Sequence, residues 1–441
     1  MRKVTYAIKL LLVITAFILI QISCKKNSKS EQFKLSETKT FSSALVVNWI
    51  DMQLKMLQVP LPAGTGSQAC DRAQAYCGIA LYESVVPGMQ TYQSLYGQLT
   101  DFPSMPVVET GMDYHWAASA NAALAEINRL LFSTTADVNK ASINTLETNL
   151  NNTYAAEVDA ATLQRSISFG KEVATRVFQW ATKDGFANTN PPYVPPVGPG
   201  LWVPTATTPP VNAYAFQRRL MVPGSADGTT LTPLPPFSTD PGSAFYAMAK
   251  EVYDVSFVTS ADQKAIAIYY RDVPGYSPGG GYVSLLSQAL SISKPTLDVA
   301  AITYVKVGIS QHEATIILNT DKYKFNVIRP ITYIRAYIDP NWQPYIGTPN
   351  HPEFPSGHAT TNGAVLTMMS NMFGENFPIT LHTYDYLTLP SRTYNTFTAL
   401  GLDMANSRLY GGLHYKETCE KSIAQGKKIA QNILLKIKFL K

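Results

Sequence analysis

Charge of either sign is scarce in this 441-residue chain, where 36 basic and 31 acidic residues make up only 15% of the whole. The formal balance of +5 is too small to build the basic face that a nucleic acid partner needs. With 46% hydrophobic residues the chain can instead bury a large core, and its length allows two or three domains. Cysteine is equally rare. Cys70 and Cys77 fall in one helical run and would sit about 10 Å apart, beyond disulfide reach. They read as buried small residues, with Cys419 unpaired. Histidine occurs six times. His312 and Glu313 begin the pattern of a zinc-binding helix, but Ile316 stands where its second histidine belongs, which excludes that site. His115, beside Trp116, and His382 have no constellation around them. Beyond residue 22 no run is long and apolar enough to cross a bilayer.

The N-terminus sets the expected compartment. Arg2, Lys3 and Lys9 precede an apolar stretch, Leu10 to Ile22, followed by Ser23 and Cys24. That order is a charged region, an apolar region and a cleavage site. Cys24, directly after a small residue, resembles the cysteine of a bacterial lipobox, so it is expected to carry lipid and tether the protein to the cell envelope, outside the cytoplasm. Removing residues 1–23 takes away three positive charges and no negative ones, leaving a balance of about +2. Residues 25–41 are polar and suit a tether.

Strand-like alternation is sparse, and helical periodicity fills most of the chain. Helical windows are expected near 42–58, 69–86, 112–132, 135–150 and 157–183, then near 243–258, 260–272, 283–291, 295–320, 323–338, 357–373, 392–408 and 416–438. Val46, Trp49, Ile50, Met52, Leu54 and Leu57 fall along one side of the first and read as core. Between the two sets, 187–244 holds Pro191, Pro192, Pro195, Pro196 and Pro199 with glycines and aromatics, which cannot sustain helix. The organisation read from this is a signal peptide over 1–23, a lipidated tether over 24–41, an N-terminal helical bundle over 42–186, a Pro/Gly-rich loop over 187–244 and a C-terminal helical bundle over 245–441.

Three clusters in the last third carry the chemistry. Lys322 and Arg329 are seven apart, so on one helix they lie two turns along the same face, and Pro330 limits how the chain continues. Pro355, Ser356, Gly357 and His358 precede an apolar helical run, where glycine lets the backbone come close and a helix N-terminus offers free amides. Arg408 and His414 flank Gly411 and Gly412, which can end one helix and start another. Fixed cations, backbone amides and histidines are what binding and turnover of one tetrahedral oxyanion require. Any one cluster alone is an ordinary feature. Their occurrence in order within about ninety residues points to one shared site.

The pattern Lys-x6-Arg-Pro, Pro-Ser-Gly-His and Ser-Arg-x5-His resembles the superfamily of type 2 phosphatidic acid phosphatases and vanadium-dependent haloperoxidases. The phrases Lys322-Tyr323, Arg329-Pro330-Ile331-Thr332 and Phe354 to Thr360, together with the helix at Arg72 to Val85, resemble the haloperoxidase branch. The resemblance implies an all-α fold of two packed helical bundles, with the anion site in the second. It also implies that Lys322, Arg329, Ser356, Gly357 and Arg408 bind the oxygens of vanadate or phosphate. In a haloperoxidase His414 would hold the vanadium. In a phosphatase, where no cofactor is needed, it would attack phosphorus and form a phosphohistidine. His358 would be the acid–base residue. His351 stands where bromide-oxidising haloperoxidases carry a second histidine, and Asp272 aligns as a carboxylate partner for Arg408. One position departs from the phosphatase pattern: Thr418 stands where an aspartate would orient the last histidine, leaving His414 in need of another partner.

Three functions follow in order. The first is a vanadate-dependent haloperoxidase that oxidises halide with hydrogen peroxide. The second is an acid phosphatase acting on phosphomonoesters. The third is a non-catalytic envelope lipoprotein with the same fold.

Overall fold

The computed structural model describes residues 37–58, 67–271 and 280–441. Cys24 with residues 25–36 of its expected tether, and Asp272, lie outside the described residues. Among the described residues the architecture is all-α. Thirteen helices run α1 (Ala44–Gln58), α2 (Ser67–Val85), α3 (Trp116–Leu131), α4 (Asp137–Tyr154), α5 (Ala160–Ala181), α6 (Ala244–Val258), α7 (Ala261–Tyr269), α8 (Gly280–Ser293), α9 (Leu297–Phe325), α10 (Pro330–Tyr337), α11 (Gly357–Phe373), α12 (Phe397–Tyr410) and α13 (Lys416–Lys436). Strands β1 (Ile379–Leu381) and β2 (Arg392–Tyr394) pair antiparallel, with Thr380 opposite Thr393.

Local chemistry sets many boundaries. Ser260 and Gln263 form a reciprocal capping box on α7, Asp159 accepts from the Ala161 and Thr162 amides at the start of α5, and His115 accepts from the Ala118 amide at the start of α3. His115 also meets Glu157 through Nε2 at 2.9 Å, so its role is structural. The expected core face of α1 is confirmed, with Val46, Trp49 and Ile50 fully buried. The Pro-rich segment has no α-helix over 187–243, α6 starting at Ala244, and is fixed by contacts with the rest of the chain. The Trp202 amide donates to the Asn326 carbonyl at 2.8 Å, and buried Glu313 accepts from the Met221 amide and from Ser225 Oγ. The carboxylate that sequence pattern placed beside His312 is thus a buried anchor for the loop.

The single helix expected over Lys322 and Arg329 does not form. Helix α9 ends at Phe325 because Asn326 turns left-handed (φ 52°, ψ 41°), a conformation asparagine tolerates. Arg329 becomes the residue before α10, with Pro330 in its first turn, where a missing N–H costs nothing. The two cations still converge, but by a break in the chain.

The main apolar core is continuous from Leu45 in α1 to Ile437 after α13, so both halves share it. A smaller cluster packs Phe245, Tyr333, Phe354 and Tyr415 beneath the motif loops. Helices α11 and α13 pack in backbone contact: a Cβ on Gly426 would lie 1.9 Å from the Thr360 carbonyl oxygen, and one on Gly363 2.3 Å from that of Ile423. This crossing sets the start of α11, and hence His358, against the turn that carries His414. Gly426→Ala is expected to lower stability by about 1–3 kcal/mol through overpacking, read as a fall in melting temperature. An unchanged melting curve would contradict the crossing.

Candidate active site

Between α2, α7–α9, α11 and α12 lies a cavity of about 370 Å³. Lys322, His351, Gly357, His358, Arg408 and His414 all line it. Four chain segments supply them: the last turn of α9, the segment before α11, the first turn of α11, and the end of α12 with the turn that follows.

Arg329 organises this lining. Its Nε donates to the His351 carbonyl at 2.9 Å, Nη2 to His351 Nδ1 at 2.9 Å, and Nη1 to the Leu413 carbonyl at 3.0 Å and toward His414 Nε2 at 3.3 Å. His351 is therefore bound directly to the anion-site arginine. Lys322 donates to the carbonyls of Pro352, Glu353 and Pro355, which holds the segment leading into α11 against α9. Arg408 Nη1 donates to the Tyr270 carbonyl and lies 3.1 Å from His358 Nε2. Ser356 caps α11 and accepts from the Ala359 amide, while its own amide donates to Ser422 Oγ at 2.8 Å. The Ser356 amide is thus engaged, and Gly357 and His358 meet the cavity.

The partner that His414 lacked in sequence is Glu353. His414 Nδ1 donates to Glu353 Oε1 at 2.8 Å, and the Tyr415 amide donates to the same oxygen at 3.1 Å. Thr418, at the position where aspartate was expected, donates to Glu353 Oε2 at 2.9 Å. The carboxylate comes from the other side of the site, and threonine holds it there. Sequence reading passed over Glu353. Its available signal was an acidic residue three positions before Ser356, in the apolar, Pro-flanked run Pro352 to Pro355 that is bound for the interior.

The electrostatics fit an anion. Lys322, Arg329 and Arg408 are all buried. Among the described residues, Glu353 is the carboxylate that acts on Lys322 and Arg329, and both its oxygens are already engaged. Burial, then the neighbouring Arg329, pushes the Lys322 ammonium well below its ordinary value, and burial lowers Arg329 to about 10. An oxyanion seated between them offsets this desolvation. Burial, followed by Arg329, Lys322 and Arg408, holds His414 well below the usual imidazole range. His414 is therefore neutral, with its proton on Nδ1 toward Glu353 and a lone pair on Nε2. Burial raises Glu353 to about 7 against the pull of Arg329 and Lys322.

Residues 303–440 match the family described as the VCPO second helical-bundle domain. Together with the all-α fold, this match supports the haloperoxidase-like branch of the vanadium haloperoxidase and type 2 phosphatidic acid phosphatase superfamily. The chain is similar to a bacterial vanadium-dependent iodoperoxidase, with 27% identity, a TM-score of 0.82, and 91% of this chain and 97% of that one covered. It also shares the fold of a bacterial vanadium-dependent chloroperoxidase. The apo form gives 15% identity and TM-score 0.63 over 86% of this chain and 96% of that one, and the holo form gives 16% and 0.63 over 85% and 94%. No curated protein matches the chain.

Proposed function

We propose that the protein is a vanadate-dependent haloperoxidase that uses hydrogen peroxide to oxidise a halide. The observation that carries this reading is the state of His414. It is neutral, pinned through Nδ1 to Glu353, with Nε2 beside Arg329 in a cavity lined by buried cations. A histidine held this way suits direct ligation of an oxyanion's central atom. Lys322, Arg329 and Arg408, with the Gly357 amide, would hold the vanadate oxygens, and His414 would hold the vanadium through Nε2. Bound vanadate would supply the oxidising chemistry by activating peroxide. His358, whose Nε2 lies 3.1 Å from Arg408, is placed to move a proton to or from a peroxide oxygen. The likeness to an iodoperoxidase along 91% of the chain supports an oxidoreductase over a phosphatase, which uses the same residues.

Protein reconstituted with orthovanadate is expected to oxidise iodide or bromide in the presence of peroxide, followed by halogenation of a phenolic dye. Hydrolysis of a generic phosphomonoester that vanadate only inhibits would instead establish the phosphatase. Neither activity would leave a non-catalytic protein.

The envelope anchor is a further part of this reading, supported by the order of Arg2 and Lys3, the apolar run and Cys24. Cys24→Ser is expected to abolish incorporation of labelled fatty acid and move the protein from the membrane fraction. Labelling that survives the substitution would remove the anchor from the account.

A further inference from the structure

Tyr269, Tyr270, Tyr282, Tyr345 and Tyr384 line the cavity, a dense phenolic wall for a site that would generate electrophilic halogen. All but Tyr345 are buried, and the hydroxyls of Tyr269, Tyr270 and Tyr282 are engaged. Tyr269 donates to the Leu381 carbonyl at 3.2 Å, Tyr270 pairs with the Tyr394 hydroxyl at 3.0 Å, and Tyr282 donates to the His358 carbonyl at 3.2 Å. Burial also raises the Tyr269 and Tyr270 phenols above their ordinary value, which suppresses the phenolate through which electrophilic halogenation runs. Tyr345 differs: it lines the cavity and yet is 47% exposed, so it stands at the mouth.

The rim that carries it is fixed to the catalytic turn. The Ile346 amide donates to the Gly411 carbonyl at 3.3 Å. A Cβ on Gly411 would lie 2.7 Å from Ile346 Cδ1, and one on Gly412, whose φ is +77°, would lie 3.0 Å from Pro344. The segment 344–347 therefore rests directly on the glycine pair that precedes His414. Anything leaving the oxyanion pocket by this mouth passes the Tyr345 ring.

We propose that Tyr345 is a site of self-halogenation, modified by hypohalous acid made in the adjacent pocket; this rests on the haloperoxidase reading above. A ring carbon ortho to the Tyr345 hydroxyl supplies the electron pair. The new carbon–halogen bond forms as the oxygen–halogen bond of the hypohalous acid breaks, and the displaced ring proton leaves with the hydroxide as water. The phenol is modified because the oxidant meets its ring at the mouth before it reaches a dissolved acceptor.

The test is peptide mass spectrometry of the vanadate-loaded full chain after turnover with peroxide and bromide or iodide, with an excess of a dissolved phenol to intercept escaped halogen. Tyr337, 45% exposed, and Tyr96, 58% exposed, are absent from the cavity lining and serve as internal controls. Exchange of one ring hydrogen for halogen is expected at Tyr345 about tenfold or more above either control, because proximity raises its effective concentration of oxidant. Tyr345→Phe should lose that mass change. Hypohalous acid added to vanadate-free protein should label by exposure alone, with Tyr96 at least equal to Tyr345. Equal labelling of the three tyrosines during turnover, or loss of the Tyr345 label when the dissolved phenol is present, overturns the proposal. Halide turnover with an unmodified Tyr345 sinks the proposal and leaves the enzyme reading intact. Absence of any halide turnover sinks both.

Discussion

His414→Ala is expected to lower vanadate-dependent halide oxidation by at least about 10³-fold, the scale on which groups acting directly at a reacting centre are felt. The cause is geometric. His414 Nδ1 is committed to Glu353 at 2.8 Å, so only Nε2 faces the cavity, and burial beside Arg329, Lys322 and Arg408 keeps it unprotonated. No other lining residue can replace that lone pair in the same place. His351 is bound through Nδ1 to Arg329 and His358 Nε2 lies against Arg408. Vanadate titration followed by vanadium NMR, alongside peroxide and bromide kinetics, separates two effects. Lost binding with lost turnover supports a ligand. Unchanged vanadate affinity in the alanine variant would show that His414 does not hold the cofactor.

Glu353→Gln is expected to weaken vanadate affinity or turnover by about 10–100-fold, as removal of a partner that orients a metal-ligating histidine does. The amide keeps the shape but loses the charge that favours a proton on His414 Nδ1, and it can present its nitrogen to the Tyr415 amide or the Thr418 hydroxyl. Glu353 also sets a pH dependence. Burial raises its folded pKa to about 7, above that of a carboxyl in the unfolded chain. Below pH 7 the carboxylate is lost and its hold on His414 weakens, so wild-type activity should fall on the acid side with a midpoint near 7 and the Gln variant should lack that limb. The stability sign is opposite. The folded state keeps a proton that the unfolded state releases above pH 4.5, so ionising Glu353 costs stability as pH rises toward 7. Melting temperatures of the wild type and the Gln variant, each without vanadate, should diverge over that interval. An identical acid limb in both proteins would show that another group sets it. Thr418→Val, which removes one donor to Glu353, should show a smaller version of the same change.

Periodicity located the helices closely, as at α11, expected over 357–373 and found at Gly357–Phe373. Capping and the spacing of apolar residues are local, and local chemistry is written in consecutive residues. The failures sit where local and tertiary demands compete. The window expected over 323–338 ignored Asn326, whose left-handed turn breaks the helix between the two cations. The bond from the Ser356 amide to Ser422, 66 positions away, is likewise one that no local pattern signals.

The order and spacing of Lys322, Arg329, Ser356, Gly357, His358, Arg408 and His414 determined, from sequence alone, that this chain could build one oxyanion site in its last third. Tertiary structure decided how those residues divide the work. Arg329 braces His351 and the turn before His414, the Ser356 amide is tied to Ser422, and Glu353 reaches across to His414 where Thr418 replaces the expected aspartate. The division has a physical cause. A side chain's type is fixed by its codon, but its partner is fixed by which buried donor and acceptor must be satisfied once α9, α11 and α13 have packed, and that depends on contacts between residues far apart in the chain.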